Sequence, residues 1–143
     1  MRLRACALGM LLLVGSMTSG SAAVRIAGDN GGRVGTYIDT FTTLHNSGQN
    51  VVIDGACLSA CTLVLGLIPS DQLCVTPRAR LGFHAAWRPD DHGRPVLSAM
   101  GTLVLMDVYP PKIRNWIRRK GGLSQRMTYL HGRELRALYR PCR

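Results

Sequence analysis

Between residues 34 and 53 the chain changes its hydrophobic period once, and that change restricts the folds open to it. Val34, Tyr37, Ile38, Phe41 and Leu44 recur at i, i+3, i+4 and i+7, one face of an α-helix running over 34–47. Asn46-Ser47-Gly48 stops the helix, and Val51-Val52-Ile53 follows directly, a β-branched run suited to a buried strand. The same alternation holds on either side. A short strand at Val24 to Ala27 leads into the loop Gly28-Asp29-Asn30-Gly31-Gly32. After Ile53, Asp54-Gly55 reads as a turn, and Leu58 to Leu67 as a helix packed on all sides and ended by Pro69. Leu73-Cys74-Val75 and Arg80 to Ala85 are two further strands, and Asp90 to Pro95 is an exposed loop. From Val96 to Tyr109 the pattern is helical, with the uncharged stretch from Val96 to Met106 expected as a buried helix. A second helix starts with Pro111 at its first position and stops at Gly121-Gly122. A short strand at Thr128-Tyr129-Leu130 and a helix over Arg133 to Tyr139 complete the pattern. Strands alternating with helices predict an α/β fold of repeated βα units around a largely parallel sheet. Residues 24–143 are one domain's worth, enough to fold without a metal.

The first 23 residues read differently. Arg2 and Arg4 make a basic start, Ala5 to Gly15 an apolar stretch, and Ser21-Ala22-Ala23 a small-x-small cleavage site. The apolar stretch falls short of the roughly 20 residues that span a bilayer, so Met1 to Ala23 is expected to be a Sec-type signal peptide cut near Ala22 or Ala23, with retention as a membrane anchor the alternative. Cleavage removes Cys6 from the five cysteines and two arginines from a formal charge of +10. The mature chain has no further segment long enough to cross a membrane, and the expected location is the periplasm or the medium.

Three features fall where α/β sheets present functional groups, at the ends of strands. They are Gly31-Gly32 after the first strand, Cys57-Leu58-Ser59-Ala60-Cys61 at the head of a helix, and His84 at the end of the Arg80 to Ala85 strand. A serine at a helix N-terminus sits beside exposed backbone N–H groups. Such donors can hold the oxyanion formed when a serine attacks a carbonyl, and a histidine within reach can move the proton. Each alone has a plainer reading: Ser59 as a helix cap, His84 as a packed strand residue, Gly31-Gly32 as a turn.

Taken in order, Gly31-Gly32 before a helix, a strand, Ser59 among small residues, a second strand Leu73 to Pro77, and Arg80-Leu81-Gly82-Phe83-His84 resemble the proteolytic subunit of the Clp protease and its crotonase-like superfamily. Cys-x-Ser-Ala-Cys followed by Gly-Phe-His looks closest to periplasmic Clp-protease-like proteins. The resemblance runs over Val24 to Cys142 and is best between Gly31 and Trp87. It implies a crotonase-like fold, shortened at its N-terminal end, and a serine hydrolase acting on peptides. In that reading Ser59 is the nucleophile, His84 the base, and the backbone N–H groups of Gly31 or Gly32 and of Ala60 form the oxyanion hole. The family's third residue, an aspartate, falls at Met127, which can neither orient nor stabilise an imidazolium. Asp54, Asp107, Glu134, a backbone carbonyl or a water are the replacements open to it. A Ser–Lys pair through Lys112 or Lys120 is a further variant, and a non-catalytic crotonase-like module that binds a peptide or an envelope partner is the alternative function.

Cys57, Cys61, Cys74 and Cys142 form an even set in an exported chain and are expected as two disulfides, with three pairings open. A cysteine nucleophile at Cys57 or Cys61 requires an unpaired thiol. No metal site and no cofactor is expected, since neither Cys-x-x-Cys nor clustered histidines accompany the cysteines. The excess charge is arginine on the late helices, including Arg114, Arg118, Arg119, Arg133 and Arg136. It reads as a solvated face or a contact for anionic envelope groups. Nucleic acid is not expected as a partner, a peptide or protein substrate is, and a homo-oligomer is compatible.

Overall fold

The structure is a computed structural model that describes residues 22–143. The expected signal peptide, apart from its last two residues, lies outside the described residues, as does Cys6. The described chain is mixed α/β. Its elements are β1 (Val24–Asp29), α1 (Val34–Asn46), β2 (Val51–Leu58), a 3-10 turn (Ser59–Leu63) running into α2 (Val64–Leu67), β3 (Leu73–Val75), β4 (Arg80–Phe83), β5 (Trp87–Pro89), β6 (Pro95–Leu97), α3 (Ala99–Val108), α4 (Pro111–Arg119), β7 (Thr128–His131) and α5 (Gly132–Leu138).

Five strands make one sheet, mostly parallel. β2 is its centre. β1 runs parallel along one edge of β2, while β3 pairs with Val51 to Ile53 and β4 with Ala56 to Leu58 along the other. β7 closes the far side antiparallel to β4. β5 and β6 form a separate antiparallel pair. Apolar residues of the central strands and of the helices pack into one core, in which Ile53, Leu63, Leu73, Leu81, Ile113 and Leu130 are fully buried. Phe83 sits at its centre against Tyr109 and Trp116, with ring centroids 5.5 and 5.3 Å apart. Such aromatic contacts add to the burial of the rings themselves.

The helix expected over Leu58 to Leu67 is shorter, since Leu58 ends β2 and Ser59–Leu63 is a 3-10 turn, and two further expectations need correction. Asp54-Gly55 is not a turn: β2 continues through it to Leu58. Asp54 is buried and ion-paired to Arg25 and Arg78, and Thr76 donates a further hydrogen bond to it at 2.7 Å. Gly55 is a place where two backbones touch, because a Cβ there would lie 1.9 Å from the Ala27 carbonyl oxygen. Turn-forming residue types are used here for tertiary reasons. The strand opposite accommodates the approach with an irregular register between Ile26 and Gly28. The second correction concerns Val96 to Met106. It is β6 and most of α3, not a buried helix, since Leu97, Met100 and Leu103 are exposed and within it only Leu105 is buried, with Met106 packed part-buried on the core.

The cysteines pair Cys57–Cys61 and Cys74–Cys142. The second bond fixes the C-terminal segment along β3, where Val75 N–H donates to the Arg140 carbonyl and Cys142 N–H to the Val75 carbonyl, both at 3.0 Å. No helix among the described residues is long and apolar enough to cross a membrane.

Candidate active site

The first wall of the site is the loop after β1. Asp29 ends the strand, and its carboxylate accepts the Gly31 N–H at 2.7 Å and the Tyr37 hydroxyl at 2.6 Å. The bond to Gly31 spans two residues, the signature of a turn closed by its own aspartate. Burial, then the bond to Asp29, push the Tyr37 pKa up to about 12, so the phenol stays protonated as a donor. Gly31 takes φ +80°. A Cβ on it would lie 2.5 Å from the Leu58 carbonyl oxygen, 2.6 Å from the Ser59 Cβ and 2.9 Å from the Ala60 nitrogen. The loop therefore lies directly against Ser59, and only glycine fits there.

The second wall is the junction between β2 and the 3-10 turn. Ser59 has φ +54°, the only positive φ at a non-glycine residue among those described. Such a backbone costs an L-residue about 1–2 kcal/mol. Its surroundings hold it in place. Cys57 and Cys61 are joined across it. Thr62 donates its hydroxyl to the Ser59 carbonyl at 2.6 Å, so the Tyr109 hydroxyl, also 2.6 Å away, must donate to Thr62 in turn. Ser59 thus sits on a sharp strand-to-helix turn in sparsely populated backbone, clamped by its neighbours.

His84 follows β4 and is half-buried. Its Nδ1 lies 2.6 Å from the Ala85 carbonyl oxygen. A carbonyl only accepts, so Nδ1 donates in this contact, which leaves Nε2 as the ring nitrogen turned to other partners. The loop that bears it is fastened on both sides: Ala85 N–H donates to the Ser124 carbonyl at 2.7 Å and Ala86 N–H to the Thr102 hydroxyl at 3.1 Å.

Gly31, Gly32, Ser59, Ala60 and His84 line one cleft of about 910 Å³, together with Ala86, Trp87 and Leu105. The structure thus brings the expected nucleophile, base and oxyanion-loop residues to one cleft. It also separates the two glycines, since the Gly31 N–H is already taken by the Asp29 carboxylate. Ala60 is the second residue of its turn, where N–H groups lack helical partners.

The candidate third residues are not brought to His84. Asp54 is tied to Arg25, Arg78 and Thr76, and its pKa is lowered to about 2, first by the Thr76 hydrogen bond and then by Arg78. Glu134 pairs with Lys120. Asp107 is exposed on α3. None of the three lines the cleft. Met127 Sδ packs on Gly82, where a Cβ would lie 2.7 Å from it. Among the described residues the partner of Nδ1 is a carbonyl. Lys112 donates to the Leu138 carbonyl at 2.7 Å and lies over the Tyr139 ring, so neither lysine is at Ser59. A cysteine nucleophile at Cys57 or Cys61 is ruled out by their bond. No group of three metal-ligating side chains occurs among the described residues. Asp29, Tyr37, Thr62 and Tyr109 were not expected at the site. Only Asp29 carried a sequence signal, an Asp two residues before a glycine in a loop.

Compared with protein-family models and with curated proteins, the chain matches none.

Proposed function

We propose that this chain is a serine hydrolase of the Clp-protease-like, crotonase-like kind, exported to the periplasm or the medium and acting on peptides. The observation that carries the reading is Ser59 at φ +54°, packed against the Gly31-Gly32 loop and sharing one cleft with a histidine whose Nδ1 proton is held. In the reaction His84 Nε2 takes the Ser59 hydroxyl proton as the oxygen attacks the substrate carbonyl. The N–H groups of Gly32 and Ala60 stabilise the oxyanion. Collapse expels the amine with the proton from His84, and water, activated by the same imidazole, frees the acyl group. A carbonyl dipole stabilises an imidazolium less than a carboxylate does, and losing that carboxylate elsewhere costs about 10⁴ in turnover. Slow acylation is therefore expected.

The test is labelling by a fluorophosphonate probe. The folded protein should be labelled at Ser59 and the Ser59→Ala variant should not. Absence of labelling throughout about pH 6 to 9 refutes the proposal. The lack of a carboxylate on His84 favours one second reading, a module of the same fold that binds peptides without cleaving them. In that case Ser59→Ala and His84→Ala leave biological activity unchanged.

A further inference from the structure

The cleft is charged on one side of the ledger only. Arg33, at the head of α1, and Arg88, on β5, are its two arginines, and no carboxylate lines it. Both are exposed, and neither guanidinium meets a carboxylate among the described residues; Arg88 makes only a long contact of 3.4 Å to the Pro89 carbonyl. The nearby acids are already engaged or turned aside. Asp29 holds Gly31 and Tyr37, Asp90 is paired with Arg94, and Asp91 sits at the tip of the β5–β6 hairpin outside the lining.

A second observation concerns the same wall. The exposed large apolar side chains of the described protein are Trp87, Leu97, Met100 and Leu103, at 59, 51, 72 and 60% exposure. All four belong to the hairpin and to α3, and Trp87 lines the cleft with Leu105 beneath. A patch of this kind next to a cleft marks a binding surface.

We infer that the cleft selects extended peptides in which an apolar residue is flanked by acidic ones, the acids meeting Arg33 and Arg88 and the apolar side chain resting on Trp87. The inference rests on the hydrolase reading only in treating this cleft as the place where substrate lies. Charges on two different walls suit a ligand that carries its negative groups at intervals along its length. A single-headed amphiphile carries its charge at one end and meets one wall.

Binding is measured on the mature Ser59→Ala chain, so that no turnover intervenes. Two synthetic peptides are compared, Phe-Leu flanked by glutamates and Phe-Leu flanked by lysines. Trp116 is 1% exposed, so a change in tryptophan emission on titration reports Trp87. The glutamate peptide should bind about tenfold tighter at low salt, with the margin shrinking as salt is added. The Arg33→Glu/Arg88→Glu variant, both sites being exposed, should keep its circular dichroism and reverse the preference. Equal binding of the two peptides, no binding of either, or a preference that survives the double reversal overturns the inference. So does displacement of the glutamate peptide by a fatty acid, or self-association that Met100→Ser/Leu103→Ser abolishes along with peptide binding, since the apolar wall then belongs to a lipid or to a second copy. Fluorophosphonate labelling without charge preference leaves the hydrolase standing and removes this inference. Charge preference without labelling does the reverse.

Discussion

Gly31→Ala isolates the contact on which the site is built. The new methyl meets three atoms of the Leu58 to Ala60 segment at 2.5, 2.6 and 2.9 Å. None is the end of a flexible side chain, so rotamer change cannot relieve the clash. The segment that would have to move is clamped by the Cys57–Cys61 bond and by Thr62. Residue 31 must also hold φ +80°, which costs a non-glycine residue about 1–2 kcal/mol. Overpacking of a tight contact adds about 1–3 kcal/mol. The expected loss is about 2–5 kcal/mol, a large share of the roughly 5–15 kcal/mol that holds a domain together. Gly28→Ala is the control, because nothing lies within 4 Å of a Cβ there and its φ is not positive. It should change stability by less than about 1 kcal/mol, in the stabilising direction. Urea unfolding followed by circular dichroism reads both. Gly31→Ala should lower the midpoint by more than about 1 M and leave the slope unchanged. If the two alanine variants unfold at the same midpoint, the close approach of loop and serine is wrong, and the oxyanion geometry fails with it.

The two disulfides should separate stability from chemistry. Loop entropy assigns about 2 kcal/mol to the short Cys57–Cys61 link and about 4 kcal/mol to Cys74–Cys142, whose cysteines are 68 apart. Cys74→Ser/Cys142→Ser should therefore show the lower midpoint, and Cys57→Ser/Cys61→Ser the slower probe labelling; the opposite pattern contradicts the role given to the short link. Asp29→Ala leaves the Gly31 N–H and the Tyr37 hydroxyl without their acceptor and should cost about 1–3 kcal/mol, with labelling slowed in step. Asp29→Asn, which keeps an acceptor oxygen, should restore most of both, and an equal loss in Asn and Ala argues that charge alone matters. Asp54 supplies the pH test. Its pKa falls from 3.8 to about 2 on folding, so its contribution is present above pH 3.8 and disappears as pH drops through about 2. Melting temperature measured from pH 5 downwards should fall less steeply in Asp54→Asn than in the parent, and parallel curves would sink the assignment.

Periodicity made α1 legible, because Phe41 is buried and Val34, Tyr37, Ile38 and Leu44 pack on the core as their spacing requires. It failed where residue type served tertiary contacts. Asp54-Gly55 looks like a turn until Arg25, Arg78 and the Ala27 carbonyl are in place, and none of these is near in sequence. Pro89 ends β5 and Pro95 opens β6, and prolines argue against a sheet everywhere except at an edge. α3 misled through composition: its apolar residues suggested burial, and nothing in the described chain covers their outer face. That Ser59, His84 and the glycine pair stand at strand ends around one cleft was readable from their order along the chain. The supports of Ser59, Thr62 with Tyr109, lie 47 positions apart and emerge only from packing.

The segment laid along β3 has a consequence for how the molecule meets others of its kind. β3 is three apolar residues long, and its outer edge is occupied by Arg140 to Cys142. An open edge of that composition is a template for another chain. Here the guard is bolted on by Cys74–Cys142 and by Arg140, whose guanidinium reaches the Leu73 and Asp71 carbonyls. Oxidation is thus expected to keep this one edge closed, and a chain lacking the bond is expected to offer β3 more readily to another chain.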